Sequence, residues 1–465
     1  MSMPPMLTEA TRTPSGGRIS ASGKSKTEPK SPVLGQIGAH VLLDGFGIVI
    51  DLEKSKGSHL YDAAGERQLI DLYGFFGSNP VGFNHPHFSK PEVMEDLYRA
   101  AEIKIANSDV YSAGYGRFVE TLWRVVGMPP LERMLFIEGG ALAVENTLKA
   151  AMDWKVRKNM AAGRGERGTE ILHFRHAFHG RSGYTMSLTN TDPVKTDLFA
   201  KFDWPRVSVP FIDFSLGEKE ARYADVIARE KKSEAEIMQF VKDRGIDIAA
   251  IIIEPIQGEG GDNHFRGEWL QTLRRICDEN KMLLIFDEVQ CGMCATGRNW
   301  CCEHFGVVPD LMAFGKKAQV CGVMAGPRLD EVKDNCFRLP SRINSTWGGN
   351  FTDMVRSTHF LQIIEEENLV ENARIVGEHF LNRLLDLQKE EPGISAVRGR
   401  GLFLAFDLPD PAARDRFWKG LFEGGVLALK SGEKAIRFRP ALDITKEVVD
   451  EAIDLIRAQC QRMKL

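Results

Sequence analysis

Apolar and polar positions follow two rhythms along this chain. Short apolar runs, 171–174, 248–253, 283–286 and 311–314, have the length of strands buried on both faces. Longer stretches with an apolar residue every three or four positions predict helices over 91–101, 118–126, 268–280, 353–367 and 370–388, and another running from Gly140 towards Lys158. The strand, helix, strand succession across 248–287 is the βαβ rhythm of a parallel sheet, so the chain reads as α/β. Alternation over 41–51 and 58–72, with the turn Asp62-Ala63-Ala64-Gly65 inside the second stretch, predicts a small meander or hairpin. Residues 215–245 are densely charged at helical spacing and predict a solvated helical insertion. Strands at 402–406 and 435–440 close an α+β tail.

The buried strands deliver polar residues at their C-terminal ends, the edge where open α/β sheets present ligands. Asp287 ends the run 283–286, and Lys316 follows Gly315 after the run 311–314, so both are expected in one crevice. Glu254 and Glu259 follow 248–253 and should face it too. An acid at a strand end is often only a helix cap, and a lysine there only a solvated cation. Together they meet the needs of pyridoxal phosphate chemistry: the lysine joins the aldehyde, and the acid keeps the pyridine nitrogen protonated so that the ring can take up charge. In Glu138-Gly139-Gly140-Ala141 a strand turns into a helix whose first N–H groups form an anion site, although a plain tight turn has the same sequence. Arg181 carries the guanidinium preferred for gripping a carboxylate.

Composition narrows the class. With 465 residues, 43% hydrophobic and 27% charged, the chain can bury a large core and should divide into lobes. A net charge of -4 gives no reason to expect nucleic acid or an anionic membrane as partner. The eight cysteines lack paired zinc spacing and Cys301 and Cys302 are adjacent, which points to reduced thiols and no metal, with a cluster at Cys291, Cys294, Cys301 and Cys302 as the alternative. No apolar run approaches the roughly 18 residues of a membrane span. The first 33 residues are rich in Ser, Thr, Pro, Gly and Lys and are expected to be flexible. Their basic residues fit a transit peptide but the amphipathic period is missing, so the cytoplasm is the expected compartment.

The phrase Asp287-Glu288-Val289-Gln290, followed by Gly292, Thr296-Gly297, Pro309-Asp310-Leu311 and a lysine six residues after Asp310, resembles the class III (ω-amino) aminotransferases. The resemblance covers nearly the whole chain after about residue 34. It implies the pyridoxal phosphate-dependent transferase fold type I: a large domain over 81–349 with a mostly parallel seven-stranded sheet flanked by helices, and a smaller α+β domain made of 34–80 and 350–465. It implies Lys316 and Asp287 as catalytic residues and Gly140, Ala141, Phe178, Glu254, Gln290 and Thr346 as further cofactor contacts. Phe178 would stack on the ring, Gln290 would meet the phenolic oxygen, and Thr346 would reach the phosphate held by the partner subunit of a homodimer. Substrate binding is implied for Arg181, Glu259, Asn344 and Arg437, with Arg437 as a switching arginine that Glu259 covers. Arg439 is expected on the opposite face of its strand.

Residues 138–146, 259–265, 314–322 and 344–350 resemble more narrowly the members that move the ε-amine of L-lysine to 2-oxoglutarate. Relatives acting on ornithine or 4-aminobutyrate share the scheme without all four phrases. A pyridoxal phosphate isomerase or decarboxylase, or an inactive relative, are the other readings. Cys294-Ala295 departs from the Gly-Arg or Gly-Leu that many relatives carry there, without loss of an assigned group.

Overall fold

The computed structural model describes residues 31–464. The segment 1–33, expected to be flexible, lies outside the described residues as far as residue 30. From there a short helix, α1 (Pro32–Gly38), starts with proline in its first turn and the Ser31 hydroxyl accepting from the Val33 N–H. This helix belongs to a unit ending at Val49, and the rest of the chain from Ile50 forms a second compact unit.

The predicted meander begins later than its alternation indicated. Residues 41–49 are irregular, and the strands are β1 (Ile50–Lys56), β2 (His59–Asp62) and β3 (Arg67–Asp71), paired antiparallel. Next come α2 (Gly74–Gly77), α3 (Pro91–Glu102) and α4 (Ala113–Val126). In α2 both Phe75 (φ 52°) and Phe76 (φ 60°) lie in the left-handed region, which L-residues rarely occupy in succession.

The central sheet contains β4 (Arg133–Ile137), β5 (Glu170–Phe174), β6 (Arg206–Val207) and β7 (Ile248–Ile253). After the small hairpin β8 (Ile256–Gln257) and β9 (Asn263–His264) it gains β10 (Leu283–Asp287), β11 (Leu311–Phe314) and β12 (Cys321–Ala325). Seven strands lie in the order β4-β12-β11-β10-β7-β5-β6, and β12 alone runs antiparallel to its neighbours. The intervening helices are α5 (Gly140–Ala161), α6 (Gly183–Leu188), α7 (Lys219–Arg244) and α8 (Gly267–Glu279).

Period-2 alternation explains why the strands are apolar throughout. Leu283, Ile285, Leu311 and Ala313 pack with Ala143, Val144, Leu148 and Trp154 of α5 on one face. Leu284, Phe286, Met312 and Phe314 join Trp269, Leu273 and Ile276 of α8 on the other. The charged helix α7 is less solvated than its composition indicated, because Val226, Glu230, Ser233 and Ile237 are buried.

The tail holds α9 (Phe351–Glu366), α10 (Leu369–Glu390), β13 (Ser395–Arg400), β14 (Phe403–Asp407), α11 (Pro411–Glu423), β15 (Val426–Leu427), β16 (Leu429–Ser431), β17 (Ala435–Phe438) and α12 (Lys446–Met463). Strands β13-β14-β17-β16 form an antiparallel sheet, whereas β15 pairs parallel with β3, so the first sheet draws on both ends of the chain. No helix among the described residues is long and apolar enough to cross a membrane.

Candidate active site

Strands β10 and β11 are parallel neighbours with Asp287 opposite Ala313, so their C-terminal ends open at one edge. Asp287 is the last residue of β10 and Lys316 lies just past β11. Burial, reinforced by Arg437 and Arg439, lowers the Lys316 ammonium to about 8, against the opposing pull of Glu259 and Asp287. Its Nζ forms no hydrogen bond or ion pair among the described residues and stands 5.9 Å from the Phe76 ring centroid. The backbone of Lys316 is itself left-handed (φ 50°), a local strain of the kind that clusters at reactive positions. Lys317 is fixed instead, donating to the carbonyls of Asn79 (2.8 Å) and Pro440 (3.1 Å).

The four residues after the β10 run each take a different direction. Asp287 is buried, and its Oδ2 lies 2.8 Å from Nδ1 of His179, whose side chain is wholly buried. Glu288 turns away and accepts the N–H groups of Cys301 (2.6 Å) and Cys302 (2.7 Å), while burial raises its carboxyl to about 7. Val289 packs where a side chain on Gly140 would stand, its Cγ1 3.0 Å from an added Cβ. The Oε1 of Gln290 accepts from Arg437 (3.0 Å) and Arg439 (3.3 Å), which commits the oxygen and leaves the amide NH2 as the group free to donate.

Arg437 is fully buried on β17 and its second guanidinium nitrogen donates to Oε2 of Glu259. Arg439 pairs with buried Asp262. The expectation that Arg439 faces away is corrected: residues two apart on an extended chain share a face, and both arginines reach Gln290. Burial alone would raise the Glu259 carboxyl, but Arg437 and a second cation, Lys195, outweigh it and hold it below the ordinary range. Lys195 Nζ donates to the other oxygen, Oε1. The sequence gives no sign of this lysine, which belongs to no motif and lies 64 residues from its partner.

Glu254 uses both oxygens on backbone, accepting from Phe178 (3.0 Å) and Gly258 (3.0 Å), and burial raises it to about 7. It therefore acts on the crevice by fixing Phe178, which is half-buried with Lys195 5.7 Å from its ring centroid. His179, next to Phe178, ties this segment to the end of β10 through its contact with Asp287. Gly139 (φ 97°) makes the turn into α5 that only glycine takes easily, and the N–H groups of Gly140 and Ala141 have no acceptor among the described residues. Arg181 is exposed and forms no hydrogen bond or ion pair among the described residues. Asn344 and Thr346 are exposed on the loop before α9, and no contact joins them to Asp287 or Lys316.

These groups fit pyridoxal 5′-phosphate. A partner-free amine with a lowered pKa suits an aldehyde, a buried carboxylate at the strand end suits the ring nitrogen, and the unpaired N–H groups opening α5 suit a phosphate.

Comparison with known proteins agrees. The model of the family "Aminotransferase class-III" matches residues 45–459. The chain is 48% identical over 425 residues to the L-lysine-epsilon aminotransferase of Mycobacterium tuberculosis, covering 91% of this chain and 94% of that protein. Its identity to the L-lysine-epsilon aminotransferase of Streptomyces clavuligerus is 46% over 420 residues, or 90% and 91% of the two chains. The solved structure of lysine aminotransferase from M. tuberculosis in the internal aldimine form matches with a TM-score of 0.90 at 48% identity, over 93% of this chain and 99% of that one. A family model spanning nearly all of the described residues, and relatives matched over nine-tenths of their length, lead to one assignment: the chain belongs to the class-III aminotransferases, enzymes that work through pyridoxal 5′-phosphate.

Proposed function

We propose that this enzyme transfers the ε-amino group of L-lysine to 2-oxoglutarate, yielding 2-aminoadipate 6-semialdehyde, which cyclises on its own amine, and L-glutamate. Two relatives named as L-lysine-epsilon aminotransferases support the lysine half of the reading. The observation that carries it is the buried Arg437, already covered by the carboxylate of Glu259. The carbon bearing the reacting amine of lysine carries only hydrogens besides its chain, whereas 2-oxoglutarate brings a carboxylate to the same point. A bare buried guanidinium would favour the second substrate and be costly beside the first. Glu259 neutralises Arg437 while lysine reacts and moves aside when the keto acid arrives.

Bound pyridoxal phosphate supplies an aldehyde carbon for the amine and a ring that takes up charge when a proton leaves the substrate. Lys316 Nζ takes that proton from the carbon bearing the reacting amine and returns it at the other end of the transfer. Asp287, held by His179, keeps a negative charge at the ring nitrogen. Phe178, fixed by Glu254, covers the ring; the N–H groups of Gly140 and Ala141 hold the phosphate; and the Gln290 amide donates to the phenolic oxygen. Arg181 receives the carboxylate at the far end of the substrate, and Asn344, on the loop of Thr346, reaches the substrate held by the partner subunit. Residues 81–349 form the cofactor-binding domain, and 34–80 with 350–465 the smaller one.

Glu259→Ala is expected to slow the lysine half-reaction by about 10- to 100-fold, as befits a buried guanidinium left without its acid, while sparing amino transfer from glutamate. Single-turnover absorbance on each half-reaction measures this. Equal slowing of both would make Glu259 a structural brace and end the switch.

We also infer a cytoplasmic homodimer in which Thr346 completes the phosphate site of the partner. The exposure of Thr346, Asn344 and Trp347 on one loop, with no hydrogen bond to this chain's own Asp287 or Lys316 among the described residues, supports it. Light scattering should return about twice the chain mass, and Thr346→Ala should weaken cofactor retention. An active monomer would remove that role.

A further inference from the structure

Glu259 faces two cations. Its Oε2 receives Arg437 and its Oε1 receives Lys195, from opposite sides of one carboxylate. Its backbone has little freedom, because the Glu259 carbonyl accepts the Gly432 N–H (3.0 Å), and Arg398 donates to the neighbouring carbonyls of Gly261 (2.6 Å) and Asp262 (2.9 Å). Ser431 adds a hydrogen bond to the Asp262 carboxylate (2.8 Å). Movement at Glu259 is therefore movement of a side chain on a pinned loop. Lys195 is held as well: it closes a short turn, Pro193–Lys195, whose first N–H is capped by Asp192, and about a quarter of its side chain is exposed.

We propose that Lys195 is the resting partner of the switch, the residue that keeps Glu259 paired when a substrate carboxylate takes Arg437. This rests on the dual-substrate reading above. Without Lys195, a dicarboxylate gripping Arg437 would leave Glu259 partly buried, unpaired and next to a like charge. Both the desolvation and the repulsion oppose binding. With Lys195, the carboxylate gives up one partner and keeps the other, so opening Arg437 costs one contact rather than a stranded charge. Lys195 thus acts through Glu259, as a positioning residue that sets the preference between a monoamine end and a carboxylate end.

The test uses the holoenzyme and glutarate, a dicarboxylate with no keto group, titrated by calorimetry. Lys195→Met is expected to weaken glutarate by roughly 10-fold or more, the scale of a lost charge-assisted contact. Lys195→Arg should restore binding to within about 3-fold, since the charge and a donor are kept. The same comparison in steady state should show a larger rise in KM for 2-oxoglutarate than for lysine. Adding Lys195→Met to Glu259→Ala should change glutarate binding no further, because the carboxylate it serves is gone.

Unchanged glutarate affinity in Lys195→Met overturns the proposal. So does an equal loss with and without Glu259, which would make Lys195 a direct ligand or a remote charge. Failure of the underlying reading is visible separately: Glu259→Ala alone would then slow both half-reactions alike, and the proposal would fall with it.

Discussion

Lys316→Ala is expected to yield a folded protein without the absorption band of lysine-joined cofactor and with turnover at background, while Lys317→Ala keeps the band and loses stability. The two lysines are adjacent and both lowered by burial, but their amines differ in partners. Lys316 carries a partner-free amine lowered to about 8 by burial and neighbouring arginines. Lys317 sits deeper, lowered to about 7 by burial, and spends its amine on the carbonyls of Asn79 and Pro440. Loss of proton transfer alone costs about 10²- to 10⁴-fold in rate, and the covalent anchor is lost as well. Loss of Lys317 leaves buried carbonyls unsatisfied, at about 1–3 kcal/mol, which thermal unfolding measures. The neutral amine is the nucleophile, so cofactor uptake by the apoenzyme should quicken as pH rises and level off above about 8, not near 10.5 as for an ordinary lysine. Loss of the band in Lys317→Ala and its survival in Lys316→Ala would show that the wrong lysine has been assigned.

Asp287→Asn should lower turnover by about 10²- to 10³-fold with little change in melting temperature. Asparagine keeps an oxygen for His179 Nδ1 and removes only the charge offered to the ring nitrogen. Asp287→Ala should lose both activity and stability, because His179 is fully buried and its Nδ1 has Asp287 as its side-chain partner. Pairing kinetics with calorimetry separates charge from hydrogen bonding. An asparagine variant within a few-fold of the parent enzyme would remove Asp287 from the chemistry.

The strand ends that bear Asp287 and Lys316 were legible because a parallel strand buried on both faces must be apolar throughout, and its first polar residue marks the edge. Helices α8, α9 and α10 were legible from period alone, within a few residues. Strand β12 was not, because Cys321–Ala325 is short, contains glycine and runs against its neighbours, so no βαβ unit announces it. Arg398-Gly399-Arg400, just ahead of the strand expected at 402–406, is the end of β13, with Arg398 satisfied by Gly261, Asp262 and Asp407. By position alone Glu254 and Glu259 are equivalent, both following β7, and in the sequence only the family resemblance separates them. Their partners set them apart in the fold: backbone amides for the first and the side chains of Arg437 and Lys195 for the second. Lys195 was invisible for the same reason, since its meaning lies wholly in a carboxylate brought to it by the fold.

The tie between Lys317 and Pro440 also bears on how the enzyme comes into being. A ribosome makes the lysine 123 residues before the carbonyl that fixes it. Arg437, the arginine that Glu259 covers, is made late too. Strands β10 and β11 can pair early, but the edge they present stays unsealed until the chain as far as Pro440 has been made, and closing such distant segments is slow. In that interval a nascent chain shows apolar sheet and an unanchored lysine to its surroundings, the condition in which chaperones are recruited. Cofactor uptake is therefore expected to wait on the segment that carries Arg437 and Pro440.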